Sequence, residues 1–167
     1  MTLYAIALGS NRCHGRHGTP ARVLAAAIAA LAAEGIKPSA VSPTISTAPI
    51  GPSIRAYANA AALVETPLDP PALLATLKRI ERAFGRRSGQ RWGARVLDLD
   101  ILLWEKGGWS SHRPALDIPH PGLTQRRFAL DPLVLIAPEW HIPRAGTVAQ
   151  ARARLTRRVP IHRSDHR

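Results

Sequence analysis

Residues 91–104 read RWGARVLDLDILLW, a run in which two carboxylates, Asp98 and Asp100, stand between Leu97, Leu99 and Ile101. In a strand, residues two apart share a face, so the aspartates point the same way, about 6.5 Å apart along the chain, and the aliphatic residues point the other way into a core. Two close carboxylates repel each other, and the pair becomes favourable when a hard divalent cation lies between them. Magnesium suits such a pair because it takes one or two carboxylates and completes its shell with phosphate oxygens and water. An exposed sheet face would show the same alternation, so the neighbouring residues have to decide. Arg86, Arg87, Arg91 and Arg95 precede the pair in a glycine-containing segment. They are more cations than two aspartates neutralise, whereas a polyphosphate would use both the arginines and the metal.

Working outward, LYAIAL (3–8) is an apolar run stopped by GSN and reads as a first strand. Thr19 followed by Pro20 opens a helix that runs through alanine-rich sequence to Gly35. AVSPTIST (40–47) and YANAAALVE (57–65) read as the next two strands on either side of a proline and glycine loop. Asp69 before Pro70 and Pro71 opens a second helix, with Leu73, Leu74, Leu77, Ile80 and Phe84 at helical spacing. RVLDLDILLW then supplies the fourth strand. The order is βαββαβ, which predicts an α+β, ferredoxin-like core: a mainly antiparallel sheet with helices packed on one face. Residues 108–145 add proline-rich loops and a short helical stretch around ALDPLVLIAP.

The chain has 167 residues with 46% hydrophobic content, which predicts one globular domain over residues 1–145 and an arginine-rich, loosely docked tail over 146–167. Its charge is lopsided, 23 Lys plus Arg against 11 Asp plus Glu for a net +12, so an anionic partner is expected. No run is long and apolar enough for a membrane span and the N-terminal residues lack a signal-peptide pattern, which predicts a cytoplasmic protein without a membrane partner. Cys13 is the single cysteine and cannot form an internal disulfide. With His14 and His17 it makes too sparse a set for zinc.

Several tracts, taken in order, carry a more specific signal: ALGSN (7–11), TAPIG (47–51), YANAAALVET (57–66), RIE (79–81), RWGARVLDLDILL (91–103), IPHP (118–121), RRFAL (126–130) and IAPEW (136–140). In order and approximate spacing they resemble the 6-hydroxymethyl-7,8-dihydropterin pyrophosphokinase family over about residues 3–145. The resemblance implies transfer of pyrophosphate from ATP to the pterin hydroxymethyl oxygen, with release of AMP. It implies two Mg2+ ions held by Asp98 and Asp100, and ATP contacts from Arg86, Arg91, Trp92, Arg95, His120 and Arg126, with Arg86 and Arg95 also catalytic. The loop is one residue shorter than the usual family pattern, so Arg86 and Arg87 both remain open for the first position. For the pterin it implies ring contacts from Tyr57 and Phe128, hydrogen bonds from Asn59, and backbone groups around Thr47 and Pro49. It also implies a monomer.

Departures from the family pattern are the RCHGRHGTP segment and Lys78, where glutamine is frequent; Glu81 is retained. Two other readings share the predicted fold, a basic RNA-binding module and an inactive relative. RNA-recognition domains display aromatics on central strands in a K/R-G-F/Y-G/A-F-V type motif. No such motif occurs here, and retention of Asp98, Asp100, Arg95, His120, Tyr57, Asn59 and Phe128 argues against loss of activity.

Overall fold

A computed structural model describes residues 1–47, 57–85 and 96–157. Its centre is an antiparallel sheet in the order β2-β4-β1-β5, built from β1 (Thr2–Ser10), β2 (Lys37–Val41), β4 (Tyr57–Thr66) and β5 (Asp98–Trp104), with β3 (Ile45–Thr47) paired to the start of β4. Helix α1 (Pro20–Ala33) joins β1 to β2, and α2 (Pro70–Ala83) joins β4 to β5. Each helical crossover therefore spans one intervening strand, which is the interleaved arrangement predicted from the element order.

The β1 side chains sort the molecule into two halves. Tyr4, Ile6 and Leu8 join Ala60, Ala62, Val64, Leu97, Leu99 and Ile101 in a core covered by Val23, Leu24, Ala27 and Leu31 of α1 and by Leu73, Leu77 and Ile80 of α2. The α2 start is fixed by Asp69, whose Oδ1 accepts from the Ala72 N–H at 2.9 Å. Proline at its first position costs no helical hydrogen bond there.

Ala5, Ala7 and Gly9 face the opposite way, and this face is also covered. A 3-10 turn (Leu123–Gln125), α3 (Arg127–Val134) and α4 (Val148–Arg157) bring Leu123, Ala129, Leu130, Leu133, Val148 and Ala151 against Ala5, Ala61, Leu102 and Leu103. Helices on one face only is thus corrected to helices on both. The short, irregular segments after β5 hold enough aliphatic residues to close a second core.

Two further expectations change. The strand predicted over 40–47 is two strands, because Ser42 takes over the ladder between them: its N–H donates to Ala61 O, and its Oγ accepts the Ala61 N–H, both at 2.9 Å. Pro43 has no N–H with which to continue. The loosely docked tail is corrected for residues 146–157. Gly146–Thr147 form β9, paired with β8 (His141–Ile142), and α4 buries Val148 and Ala151 while Arg152 bonds Asp131 at 3.0 Å. A small hairpin, β6 (Trp109–His112) with β7 (Ala115–Ile118), follows β5.

Candidate active site

The strand register places three residues in a row on the α3 face: Asn59 of β4 pairs with Gly9 of β1, which pairs with Asp98 of β5. The next row on that face is Ala61, Ala7 and Asp100. The aspartates therefore share one side of the sheet with small residues beside them, while Leu97, Leu99 and Ile101 lie in the α1/α2 core. Both carboxylates are half-buried. Gly9 is the gap in the row: a methyl group built there would stand 3.5 Å from Asn59 Oδ1.

Asn59 forms the floor. It is 8% exposed, and its amide makes no hydrogen bond among the described residues. No fully enclosed side-chain nitrogen or oxygen among the described residues lacks a partner, so this amide opens onto the space above Gly9. An unbonded, largely desolvated amide costs stability that a ligand's polar edge would recover. Tyr57 stands two residues earlier on the same face, with Thr47 as its strand partner. Phe128 opens α3, which packs over β4. These two rings are 40% and 46% exposed and are the only exposed phenylalanine, tyrosine or tryptophan side chains among the described residues.

His120 completes the other side. Its backbone N–H donates to Leu102 O at 2.9 Å, which holds the Pro119–Gly122 segment along the free edge of β5. Its Nδ1 accepts the Gly122 N–H at 3.1 Å, so the neutral ring carries its proton on Nε2. Burial lowers the imidazole pKa, and the opposing pull of Asp100, then the push of Arg126 and the pull of Asp98, leave it below the ordinary value. These influences place His120 among the two carboxylates and Arg126. The Arg126 guanidinium in turn lies 5.7 Å from the Phe128 ring centre.

Asn59, Tyr57, Asp98, Asp100, His120, Arg126 and Phe128 are thus gathered at one end of one sheet face, with the Thr47 backbone at its border. Pro49, Arg86, Arg87, Arg91, Trp92 and Arg95 lie outside the described residues. His14 and His17 stack on each other at 4.8 Å between ring centres, and His17 stacks on Phe84 at 4.9 Å, so they pack against the end of α2. Gly9 was missed as a site residue, although a glycine ending an alternating strand is a signal of close approach. Glu81 was noted only as retained in the family pattern and was given no role. Its side chain is fully buried, and Oε1 accepts the Leu99 N–H at 2.8 Å and Lys78 Nζ at 2.9 Å. A carboxylate on the apolar face of a helix was the available sign.

The donor set fits magnesium. Asp98 and Asp100 stand on one strand face beside Gly9 and Ala7, a pair of hard oxygen donors of the kind this ion takes together with phosphate and water.

Comparison with solved structures finds the same fold. Wild-type Plasmodium falciparum HPPK-DHPS, crystallised with SDX-DHP, superposes with a TM-score of 0.66 at 15% identity over 94% of this chain and 45% of that one. The sequence matches the family model for 7,8-dihydro-6-hydroxymethylpterin-pyrophosphokinase over residues 5–138. A relative from Methylorubrum extorquens named 2-amino-4-hydroxy-6-hydroxymethyldihydropteridine pyrophosphokinase is 40% identical over 93% of this chain and 94% of its own length. One of the same name from Haemophilus influenzae is 37% identical over 87% and 88%. A Synechocystis relative is 43% identical over 58% of this chain, an alignment spanning about half (48%) of that protein.

Fold and sequence together define an ATP-dependent diphosphotransferase of the ferredoxin-like α+β class. The chain belongs to the 7,8-dihydro-6-hydroxymethylpterin-pyrophosphokinase family of folate synthesis. Enzymes of this family use ATP as co-substrate and a pterin as acceptor, which favours this reading over the RNA-binding alternative.

Proposed function

We propose that the Asn59–Gly9–Asp98 row is where the two substrates meet, and that the chain there transfers pyrophosphate from MgATP to the hydroxymethyl oxygen of 6-hydroxymethyl-7,8-dihydropterin. The reading rests on one observation: a largely buried amide that makes no hydrogen bond among the described residues and a pair of carboxylates face the same side across a residue with no side chain. The pterin lies between Tyr57 and Phe128. Asn59 pairs with its polar edge, because an amide offers a donor and an acceptor together, and backbone groups at Thr47 and Pro49 supply the remaining bonds.

Asp98 and Asp100 would hold two Mg2+ ions, whose chemistry is to neutralise the triphosphate and to stabilise charge on the oxygen that leaves with AMP. Around them, Arg86, Arg91, Arg95 and Arg126 bind phosphate oxygens, Trp92 helps cover the nucleotide, and His120 offers its Nε2–H to a phosphate oxygen. With Nδ1 already accepting the Gly122 N–H, the ring proton is fixed on Nε2. The pterin oxygen forms its bond to the β-phosphorus as the bond to the bridging oxygen of AMP breaks, and the hydroxyl proton leaves to solvent. Holding both substrates in line supplies much of the acceleration, and no covalent enzyme intermediate is required.

We place the whole activity on one domain that acts as a monomer in the cytoplasm, with no nucleic-acid or membrane partner. No helix among the described residues is long and apolar enough to cross a membrane. The test is a coupled assay of AMP release from MgATP with and without the pterin. Pterin-dependent AMP is expected, with most turnover lost in Asp98→Ala and in Asp100→Ala. Normal turnover in Asp98→Ala would remove the metal assignment.

A further inference from the structure

The fully buried carboxylate of Glu81 has a cheaper alternative. At position 81 of α2, between Leu77 and Phe84 on the apolar face, a leucine or methionine would pack without desolvating a charge. Replacing a buried ion pair with apolar residues of similar volume is often neutral or stabilising. Stability alone therefore does not account for the pair with Lys78.

What the pair touches is specific. Glu81 Oε1 accepts the backbone N–H of Leu99 at 2.8 Å, and Lys78 Nζ lies 2.9 Å from Glu81 Oε1 and 3.5 Å from the Leu99 carbonyl oxygen. Leu99 is the residue between Asp98 and Asp100. Among the described residues β5 pairs only with β1 in the sheet, so Leu99 sits on an edge strand. The Leu99 N–H turned away from β1 is enclosed beneath α2 and would be costly to leave without an acceptor. A charge-assisted bond from a helix packed on the core holds it instead.

We propose that Glu81, in its ion pair with Lys78, is a positioning residue that fixes the β5 backbone between the two aspartates and so sets the spacing at which they present their oxygens to the nucleotide-bound cations. The inference rests on the metal reading above and adds to it the group that orders the ligands. Glu81 itself lies on the opposite side of the strand from the carboxylates, so it acts through the backbone. Outer partners of this kind hold metal ligands in register, and their loss typically weakens metal affinity about 10- to 100-fold.

Glu81→Gln keeps the length and one acceptor oxygen but removes the charge. Its Mg2+ and Mn2+ affinity, measured calorimetrically in the presence of a non-hydrolysable ATP analogue, is expected to fall about 10-fold or more. Amide exchange at Leu99 in the ligand-free protein is expected to accelerate, while the KM for the pterin stays within about twofold of wild type, since the variant touches no group beside Asn59. A merely structural role would lower the thermal midpoint and leave cation affinity unchanged, and that result overturns the proposal. If Glu81→Gln does not fold, Lys78→Met at a partly exposed position decides by the same titration: severalfold weaker affinity supports the proposal and wild-type affinity overturns it. Failure of the underlying site reading looks different, because wild-type protein would then show no pterin-dependent AMP release whatever Glu81 does.

Discussion

Replacing Phe128 with alanine tests the pterin slot most directly, because nearly half of the residue is open in the free protein. It is 46% exposed, so of the roughly 150–250 Å² that such a ring presents, about 70–115 Å² remains open for a ligand to cover. A flat heterocycle covers one face, about half of that area, for about 0.9–1.4 kcal/mol at roughly 25 cal/mol/Å². Offset stacking adds about 0.5–1.5 kcal/mol. The sum, about 1.5–3 kcal/mol, corresponds to roughly 10- to 150-fold in the Kd for the pterin. Folding should change little, since an exposed ring loses few contacts on truncation. The assay is calorimetric titration of the pterin into protein holding a non-hydrolysable ATP analogue, with Leu135→Ala as control. Leu135 is a similarly large apolar residue at the far end of α3, 58% exposed. Equal pterin affinity in the two variants would refute the assignment of Phe128 to the slot.

Gly9→Ala should fold normally, because the added methyl meets only Asn59 Oδ1 at an ordinary 3.5 Å; it should weaken pterin binding by about 1–3 kcal/mol, as overpacking does, and titration with melting curves separates the two effects. His120 binds its proton less readily folded than unfolded, so its contribution to stability is complete above the ordinary pKa of 6.5 and is lost as pH falls through the lowered folded value. Urea unfolding of ligand-free protein between pH 7 and pH 5 should therefore show a steeper loss for wild type than for His120→Gln. Tyr4 gives the opposite sign: burial first, then Asp69 and Glu105, raise its pKa to about 12, so its contribution is complete below 10 and is lost toward 12. Tyr4→Phe should flatten that alkaline loss and, by removing the 2.9 Å bond to Leu68 O, lower stability at neutral pH by about 1–2 kcal/mol.

The alternation of Asp98 and Asp100 with Leu97, Leu99 and Ile101 was legible because strand period is a local property, and so were both crossover helices, whose proline starts and aliphatic spacing need no tertiary information. The second helical face was not. Leu123, Leu130 and Leu133 lie among prolines and glycines in segments too short for a period to show, and they become a core only when Ala5 and Ala61 leave room for them. The arginines of α4 similarly mask Val148 and Ala151, which carry its docking. Within the site, Asn59 was readable as a polar residue in an apolar strand. Gly9 and Glu81 were not assigned their places, since the role of each is defined by a partner far along the chain: Asn59 and Asp98 for the glycine, Leu99 for the glutamate.

The two faces also explain why charge is affordable on this strand. On the α1/α2 side, β5 contributes the apolar groups Leu99, Ile101 and Trp104, so that face of the strand packs without the carboxylates. On the α3 side, the aliphatic cover reaches Leu102 and Leu103 but stops before Asp100, where His120 and Arg126 take over. The Glu81–Lys78 pair crosses that division at a single peptide, linking the stable core to the polar end. A substitution that loosens only this link should therefore show itself in cation affinity, as the carboxylates lose their register, beyond whatever stability the lost bond to Leu99 costs. Apolar truncation at Leu77 should do the reverse: the residue is fully buried, and its change to alanine should cost about 2–5 kcal/mol, read by denaturant unfolding, with cation affinity in the surviving folded fraction unchanged.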